Sequence, residues 1–429
     1  MAMNTQTIDS YQPDLTEPTP PAAVSEKPET HADKHIWGIF LFLCLISIVE
    51  LYSASSREVS LGSFGVYGPV VRHGGMLLAG VCIVYLLQTV HYHKFRYWLP
   101  LFALGSVLMM GYVMVNGEIV NGARRSITIL GVTLQPSEFL KFSAAGIIAL
   151  IMGRTQLKGG GVKNIGVILA AGIVALFGAM LIRQGLTNTL LLMAISMSMM
   201  LIGGVPVKKF AMVLLFYGAI LGIFKAVGSG SDDSDVDRSG TWQQRIERYL
   251  GDGKPKYEQT INAENRQEMY SFMAQANGGV AGVFPGNSRE ASRLPLAFSD
   301  YIYSIIVEDT GLLGGLLVLV LYLWLLARAS AIASKCTRAF PALLVIGMAV
   351  MIVMQALFHI AIVTGVFPVS GQPLPLISKG GTSILVTSLA FGVMLSVSRF
   401  AVQSSKKPTA AELAAAPEED RAANPSQLL

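Results

Sequence analysis

Apolar runs of roughly 20 residues recur along nearly the whole of this 429-residue chain, each long enough to cross a hydrocarbon layer about 30 Å thick. Ten are read, at about 36–55, 73–90, 98–115, 137–153, 164–182, 187–204, 209–228, 300–328, 339–363 and 381–399. Only 14% of the residues are charged, where a soluble domain carries about 25%, and the mean hydropathy is +0.53. Inside a bilayer the backbone must satisfy its own hydrogen bonds, in helices or in a closed barrel. No barrel-like alternation is visible, so the expected fold is an all-α polytopic membrane protein.

An even number of spans puts both tails on one side. Lys94, Arg96, Arg154, Lys158, Lys163, Lys208, Lys209, Arg328, Lys335, Arg338, Arg399, Lys406 and Lys407 fall on the tail side. Arg57, Arg72, Arg124, Arg125, Arg183 and Lys379 fall opposite. The bias makes the tail side cytoplasmic. Residues 1–35 and 403–429 read as polar, disordered cytoplasmic tails around a membrane domain of 36–402. The one large loop, about 229–299, is expected outside, with amphipathic helices such as one around Trp242 to Leu250. The net charge of +5 is scattered over helix ends and does not suggest nucleic acid. The three cysteines, Cys44, Cys82 and Cys336, form neither a disulfide framework nor a metal site.

The stretch Arg293-Leu294-Pro295-Leu296-Ala297-Phe298-Ser299-Asp300 puts a carboxylate where the large polar loop runs into an apolar helix. A carboxylate at that depth is expensive without a partner or a task, and Asp300 is read as the working group. Three further stretches accompany it. Asn121-Gly122-Ala123-Arg124-Arg125 leads to Gln135-Pro136-Ser137-Glu138-Phe139-Leu140-Lys141, where Ser137 suits an N-cap and Glu138 a first helical turn. Gln267 to Gly282, with Gly278 and Gly279, then Gly286-Asn287-Ser288, is dense enough in glycine for backbone to approach backbone or ligand. Gly365 to Ser383 carries three prolines that break any helix, then Ser378-Lys379-Gly380-Gly381 as an anion cradle at the start of the last span.

In this order the four stretches resemble the SEDS family of cell-wall proteins, which includes FtsW, RodA and SpoVE, from Tyr52-Ser53-Ala54-Ser55 to about Arg399. The resemblance implies an inverting peptidoglycan glycosyltransferase that polymerises lipid II, a disaccharide-pentapeptide on undecaprenyl diphosphate, at the outer face of the cytoplasmic membrane. The family's essential aspartate falls on Asp300. Substrate binding falls on Arg124, Arg125, Gln135, Ser137, Glu138, Lys141, Gly278, Gly279, Ser378, Lys379, Gly380, Gly381 and Ser383. A class B penicillin-binding protein is the implied partner, with other divisome proteins. Arg245-Ile246, Tyr249-Leu250 and the long N-terminal tail are similar to the division branch, FtsW. The chain departs from many relatives at Leu296, where they carry Glu, at Ser126, where they carry Trp, and at His359, where they carry Asn. A family Pro-Asp-Leu-Gly turn is replaced by Arg183-Gln184-Gly185-Leu186.

Lipid II carries its sugar α-linked, and the product is β-1,4-linked. One in-line displacement inverts the centre and needs one base, not a second carboxylate as nucleophile. Asp300 is expected to take the proton of the acceptor 4-hydroxyl, with Arg124, Arg125 and Lys379 at the diphosphate. A divalent cation, Mg²⁺ or Mn²⁺, could share that work, bridged by Asp300 and substrate phosphate. Asp300, Ser304 and Glu308 fall at a helical repeat, with Asp300 and Glu308 about 12 Å apart along the axis. Glu308, Glu50 and His359 read as buried structural groups. Competing readings are a RodA-type elongation polymerase, a lipid II flippase and a non-catalytic divisome scaffold.

Overall fold

A computed structural model describes residues 32–54, 68–120, 123–129, 132–157, 161–182, 184–228, 249, 259–262, 265–294 and 296–401. Among them ten helices have span-like length or nearly so: α1 Lys34–Ala54, α2 Gly68–Leu87, α3 Phe95–Asn116, α4 Pro136–Thr155, α5 Asn164–Ile182, α6 Leu186–Ile202, α7 Val207–Gly228, α9 Ile302–Lys335, α10 Ala339–Val363 and α11 Gly381–Phe400. A shorter helix, α8 (Arg266–Gly278), precedes α9. Eight of the ten are long and apolar enough to cross a membrane, and α6 is a shorter apolar helix. The all-α polytopic reading holds. The expected amphipathic helix around Trp242 lies outside the described residues, apart from Tyr249.

Burial sorts the helices. α4, α10 and α11 are the most buried, whereas α2 and α3 turn most of their surface outward. α10 packs on α4 and α9, α11 on α2, and α3 on α4. The outward stripes are large and apolar, for example Leu78, Tyr85, Leu101, Leu108, Leu312 and Leu316. In water such stripes would drive aggregation, and in lipid they are at home.

Two features depart from the sequence reading. Between α3 and α4 the chain forms a three-stranded antiparallel sheet, β1 (Glu118–Val120), β2 (Ala123–Ile129) and β3 (Val132–Leu134), in the order β1-β2-β3. Ile119 pairs with Arg124, and Ile127 with Leu134. Thr382 Oγ1, in the first turn of α11, donates to the Thr133 carbonyl and accepts from Gln135 N–H, fastening the sheet to α11.

The second departure is a break in α9 at Gly311, with φ 73° and ψ −175°, a backbone that suits glycine. The bonds lost there are replaced from the glycine-rich loop. Leu312 N–H donates to the Gly279 carbonyl (3.0 Å), while Val283 and Phe284 N–H donate to the Glu308 and Asp309 carbonyls (3.0 and 2.8 Å). The loop and helix touch backbone to backbone. A Cβ at Gly278 would overlap the Val307 carbonyl, and one at Gly282 the Asp309 carbonyl.

Candidate active site

Asp300 sits on a turn just ahead of α9, where its N–H donates to the Leu296 carbonyl at 3.0 Å. It precedes the helix, and so does not share the helical face of Ser304 and Glu308. Ser304 meets Ser271 of α8 (Oγ–Oγ 2.7 Å), and Glu308 accepts from Asn277 Nδ2 of α8 at 3.3 Å. The Glu308 carboxylate also accepts from the Ser288 hydroxyl and from the N–H groups of Arg289 (3.1 Å) and Glu290 (3.4 Å). It is completely buried and organises the loop, as a buried structural carboxylate should.

The turn carrying Asp300 is bolted to the proline-rich segment 364–380. Ser378 Oγ donates to the Ser299 carbonyl and accepts from Leu374 N–H, both at 2.7 Å. Lys379 N–H donates to the Phe298 carbonyl at 2.9 Å, and the Lys379 ammonium lies over the Phe298 ring, 4.8 Å from its centroid. Ser299 Oγ donates to Asp300 Oδ1 at 2.8 Å. On the other side Gly371 leaves room for the carboxylate, since a Cβ there would stand 2.5 Å from Asp300 Oδ2. Leu296 and Leu376, which flank these segments, hold positive φ of 61° and 64°. Such backbone costs on the order of 1–3 kcal/mol per residue and persists only where the surroundings enforce it.

Asp300 faces a cleft of about 190 Å³. Its walls come from β2 (Arg125), the N-cap of α4 (Gln135), the α5–α6 turn (Gln184 to Asn188), α8 (Gln267), the Asp300 turn (Leu296, Tyr301) and the proline-rich segment (Pro368 to Gln372). All are at the same ends of their spans. Among the described residues Asp300 is the only carboxylate lining the cleft and Arg125 the only fixed cation. The remaining polar lining is dominated by carboxamides. Gln184 and Leu296, two of the departures noted in the sequence, both line it, and both are uncharged.

The other sequence-derived residues divide. Arg125 and Gln135 line the cleft. Arg124 pairs in β2, and its side chain lies outside the described residues. Glu138 and Lys141 point into the bundle instead: Lys141 Nζ donates to Glu138 Oε1 (2.7 Å) and to Gln355 Oε1 (3.0 Å), with both ionic side chains buried. Gln355 Nε2 donates to the Pro373 carbonyl at 3.3 Å, so this ion pair braces the proline-rich segment from below. Ser137 and Ser383 are buried outside the lining. Gly278 and Gly279 serve backbone contact with α9 and are also outside it. Ser378 and Lys379 hold the Asp300 turn, and Gly380 caps α11, whose first residue is Gly381. Sequence reasoning did not name Gln184, Asn188, Gln267 or Gln372 as site residues, although Gln267 and Gln372 fall within the stretches it singled out.

No group of three or more His, Cys, Asp or Glu able to hold a metal ion occurs among the described residues. With one carboxylate among the described lining residues, the cleft offers no protein cage for a divalent cation, and Asp300 is the residue that would share one with substrate phosphates.

Residues 33–403 match the family model FtsW/RodA/SpoVE, described as cell cycle protein. The chain belongs to this family. Relatives include stage V sporulation protein E of Bacillus subtilis, 28% identical over 87% of this chain and 98% of that protein. "Probable peptidoglycan glycosyltransferase FtsW" of Thiomicrospira cyclica is 29% identical over 84% of this chain and 89% of that protein. "Peptidoglycan glycosyltransferase MrdB" of Escherichia coli is 24% identical over 86% and 94%. Among solved structures, one described as "Structural coordination of polymerization and crosslinking by a peptidoglycan synthase complex" superposes with a TM-score of 0.64 at 22% identity, covering 86% of this chain and 98% of that one. The rod shape determining protein RodA of Thermus thermophilus gives 0.60 at 20% identity, covering 86% and 97%. At these identities the structural matches establish the SEDS fold.

Proposed function

We propose that the chain is a peptidoglycan glycosyltransferase that polymerises lipid II at the outer face of the cytoplasmic membrane, with Asp300 as general base. The observation that carries this reading is the single carboxylate of the cleft, fixed between Ser299 and Gly371. The acceptor 4-hydroxyl loses its proton to Asp300 as its oxygen bonds to the donor anomeric carbon. The bond from that carbon to the diphosphate breaks on the opposite side, and its electron pair leaves with the diphosphate. Inversion follows from the single displacement, and a lining with one carboxylate among the described residues accords with it.

General-base help is worth about 10²–10⁴-fold. Alignment of two membrane-anchored substrates supplies much of the rest, and Arg125 is placed to stabilise charge on the leaving group. Any Mg²⁺ or Mn²⁺ would arrive with the diphosphate, with Asp300 its one cleft carboxylate, and no step is assigned to it. A class B penicillin-binding protein is the proposed partner, supported by the likeness to a polymerising and crosslinking complex. The division role is supported by relatives bearing the FtsW name.

The test is polymerisation of purified lipid II by the chain with its transpeptidase partner. The native protein should make glycan, and Asp300→Asn should lose at least about 100-fold in rate while still binding its partner. Equal glycan from both proteins would remove Asp300 from the mechanism.

A further inference from the structure

One corner of the cleft is built from two carboxamides that belong to distant parts of the chain. Asn188 comes from the first turn of α6, and Gln372 from the proline-rich segment. Gln372 Nε2 donates to Asn188 Oδ1 at 3.0 Å, and both side chains line the cleft while being more than nine-tenths buried. The backbone beneath them is fixed as well. His359, wholly buried in α10, donates from Nδ1 to the Gln372 carbonyl at 2.6 Å.

That single bond between the amides uses the donor end of Gln372 and the acceptor end of Asn188. Gln372 Oε1 is left buried with no hydrogen-bond partner among the described residues. Oε1 has almost no exposed surface, so a ligand donor meets it once the amide turns toward the cleft, and the cost of leaving the acceptor unmet favours that turn. Asn188 Nδ2 is the matching donor, an amide group with two hydrogens to give. One acceptor and one donor, neither charged, complement the N–H and C=O of a secondary amide. Leu186, Pro368 and Val369 line the same cleft and offer an apolar seat for a methyl group. A methyl seat beside an amide-reading pair fits an acetamido group better than a bare hydroxyl. The position suits the reaction too. Gly371, next in the chain to Gln372, abuts the Asp300 carboxylate.

We infer that Asn188 and Gln372 form an acetamido subsite, which takes the 2-acetamido group of the acceptor sugar while that sugar's 4-hydroxyl faces Asp300. This rests on the polymerase reading above, and assigns the pair a role in substrate selection. The pair does not touch the reacting atoms in this arrangement; it sets which sugar enters and how the ring is turned.

The experiment compares lipid II with an analogue bearing a hydroxyl in place of the acetamido group on that sugar. Two quantities are read for each: kcat/KM for polymerisation by the chain with its transpeptidase partner, and equilibrium binding to the Asp300→Asn protein. The native cleft should prefer the acetamido substrate by about 10–100-fold, the worth of two hydrogen bonds with a fitted group. Gln372→Met, close in length but without the amide, should reduce that preference to within about twofold. Asn188→Asp keeps the acceptor for Gln372 Nε2 and replaces the Nδ2 donor by a charged acceptor, so it tests the subsite even where Gln372→Met fails to fold. Its preference should fall several-fold. An unchanged preference in Asn188→Asp, or none in the native protein, overturns the subsite. If the Asp300→Asn protein binds with the expected preference but the native protein makes no glycan, the polymerase reading fails and the amide-reading pair stands. If it makes glycan without preference, the reverse holds.

Discussion

Gly371 has no side chain where Asp300 needs space. Gly371→Ala would push a methyl group against Oδ2, and the carboxylate or the segment must move by a fraction of an ångström. Misplacement on the order of 1 Å can cost about 10²-fold in rate. The expected outcome is a polymerisation rate reduced at least about tenfold with the melting temperature nearly unchanged, measured on the same purified protein. Lys141 acts at a different level. Lys141→Met strands the buried Glu138 carboxylate and should cost about 3–5 kcal/mol, whereas Glu138→Gln combined with Lys141→Met should recover most of it. Thermal unfolding in detergent of the single and double variants checks this. Asp300 was legible in the sequence because a lone acid at a loop-to-helix boundary is costly. Gln184, Asn188, Gln267 and Gln372 were not. Carboxamides are common, carry no periodic signal and come from three separated stretches, so only the folded chain shows that they share a cleft. The inward turn of Glu138 and Lys141 was hidden for a related reason. A first-turn Glu reads as dipole compensation, and only the packing of α10 reveals its buried partners.

At the scale of elements, the apolar runs named the spans because the bilayer sets their length. The break in α9 was not legible, since glycine is common within membrane helices and Gly311 declares itself only through its φ. The small sheet had a signal that went unused. Asn121-Gly122 stands between β1 and β2, and Asn-Gly between short β-prone runs is a strong hairpin cue. The glycine-rich loop was read as a place for close approach, and the partner turned out to be helix backbone. This makes a sharp expectation. Gly278→Ala and Gly282→Ala each place a methyl group on a carbonyl of α9, and overpacking of this kind costs about 1–3 kcal/mol. Hydrogen exchange should show the loss of protection first in α8 and in the part of α9 before Gly311. Unchanged exchange there would mean that the loop does not support the helix.

Across the whole molecule, the end opposite the cleft is closed by Asp33. Arg328 of α9 donates to Asp33 Oδ2 from Nε (2.8 Å) and Nη2 (2.6 Å), while Asp33 Oδ1 accepts from His35 and Ile36 N–H at the start of α1. Asp33 N–H donates to Ser398 Oγ of α11 at 3.1 Å. Burial alone would raise the Asp33 carboxyl, but the Arg328 guanidinium and the backbone donors outweigh it and hold the carboxyl below its ordinary value. The folded value is therefore lower than the unfolded one. The stabilisation is complete above the unfolded value, about 3.9, and fades as pH falls through the folded value. Asp33→Asn should lower stability by about 1–2 kcal/mol at neutral pH and flatten the acid limb of the melting curve. A native and variant pair with parallel melting curves from neutral to acid would show that the pair contributes nothing. Because Gly279 to Phe284 complete the turn that Gly311 opens, the stub of helix behind Asp300 cannot pivot alone. A pull on Gly279 to Phe284, as from a docked protein, would pass through main-chain bonds into the first turns of α9, which begin just after Asp300.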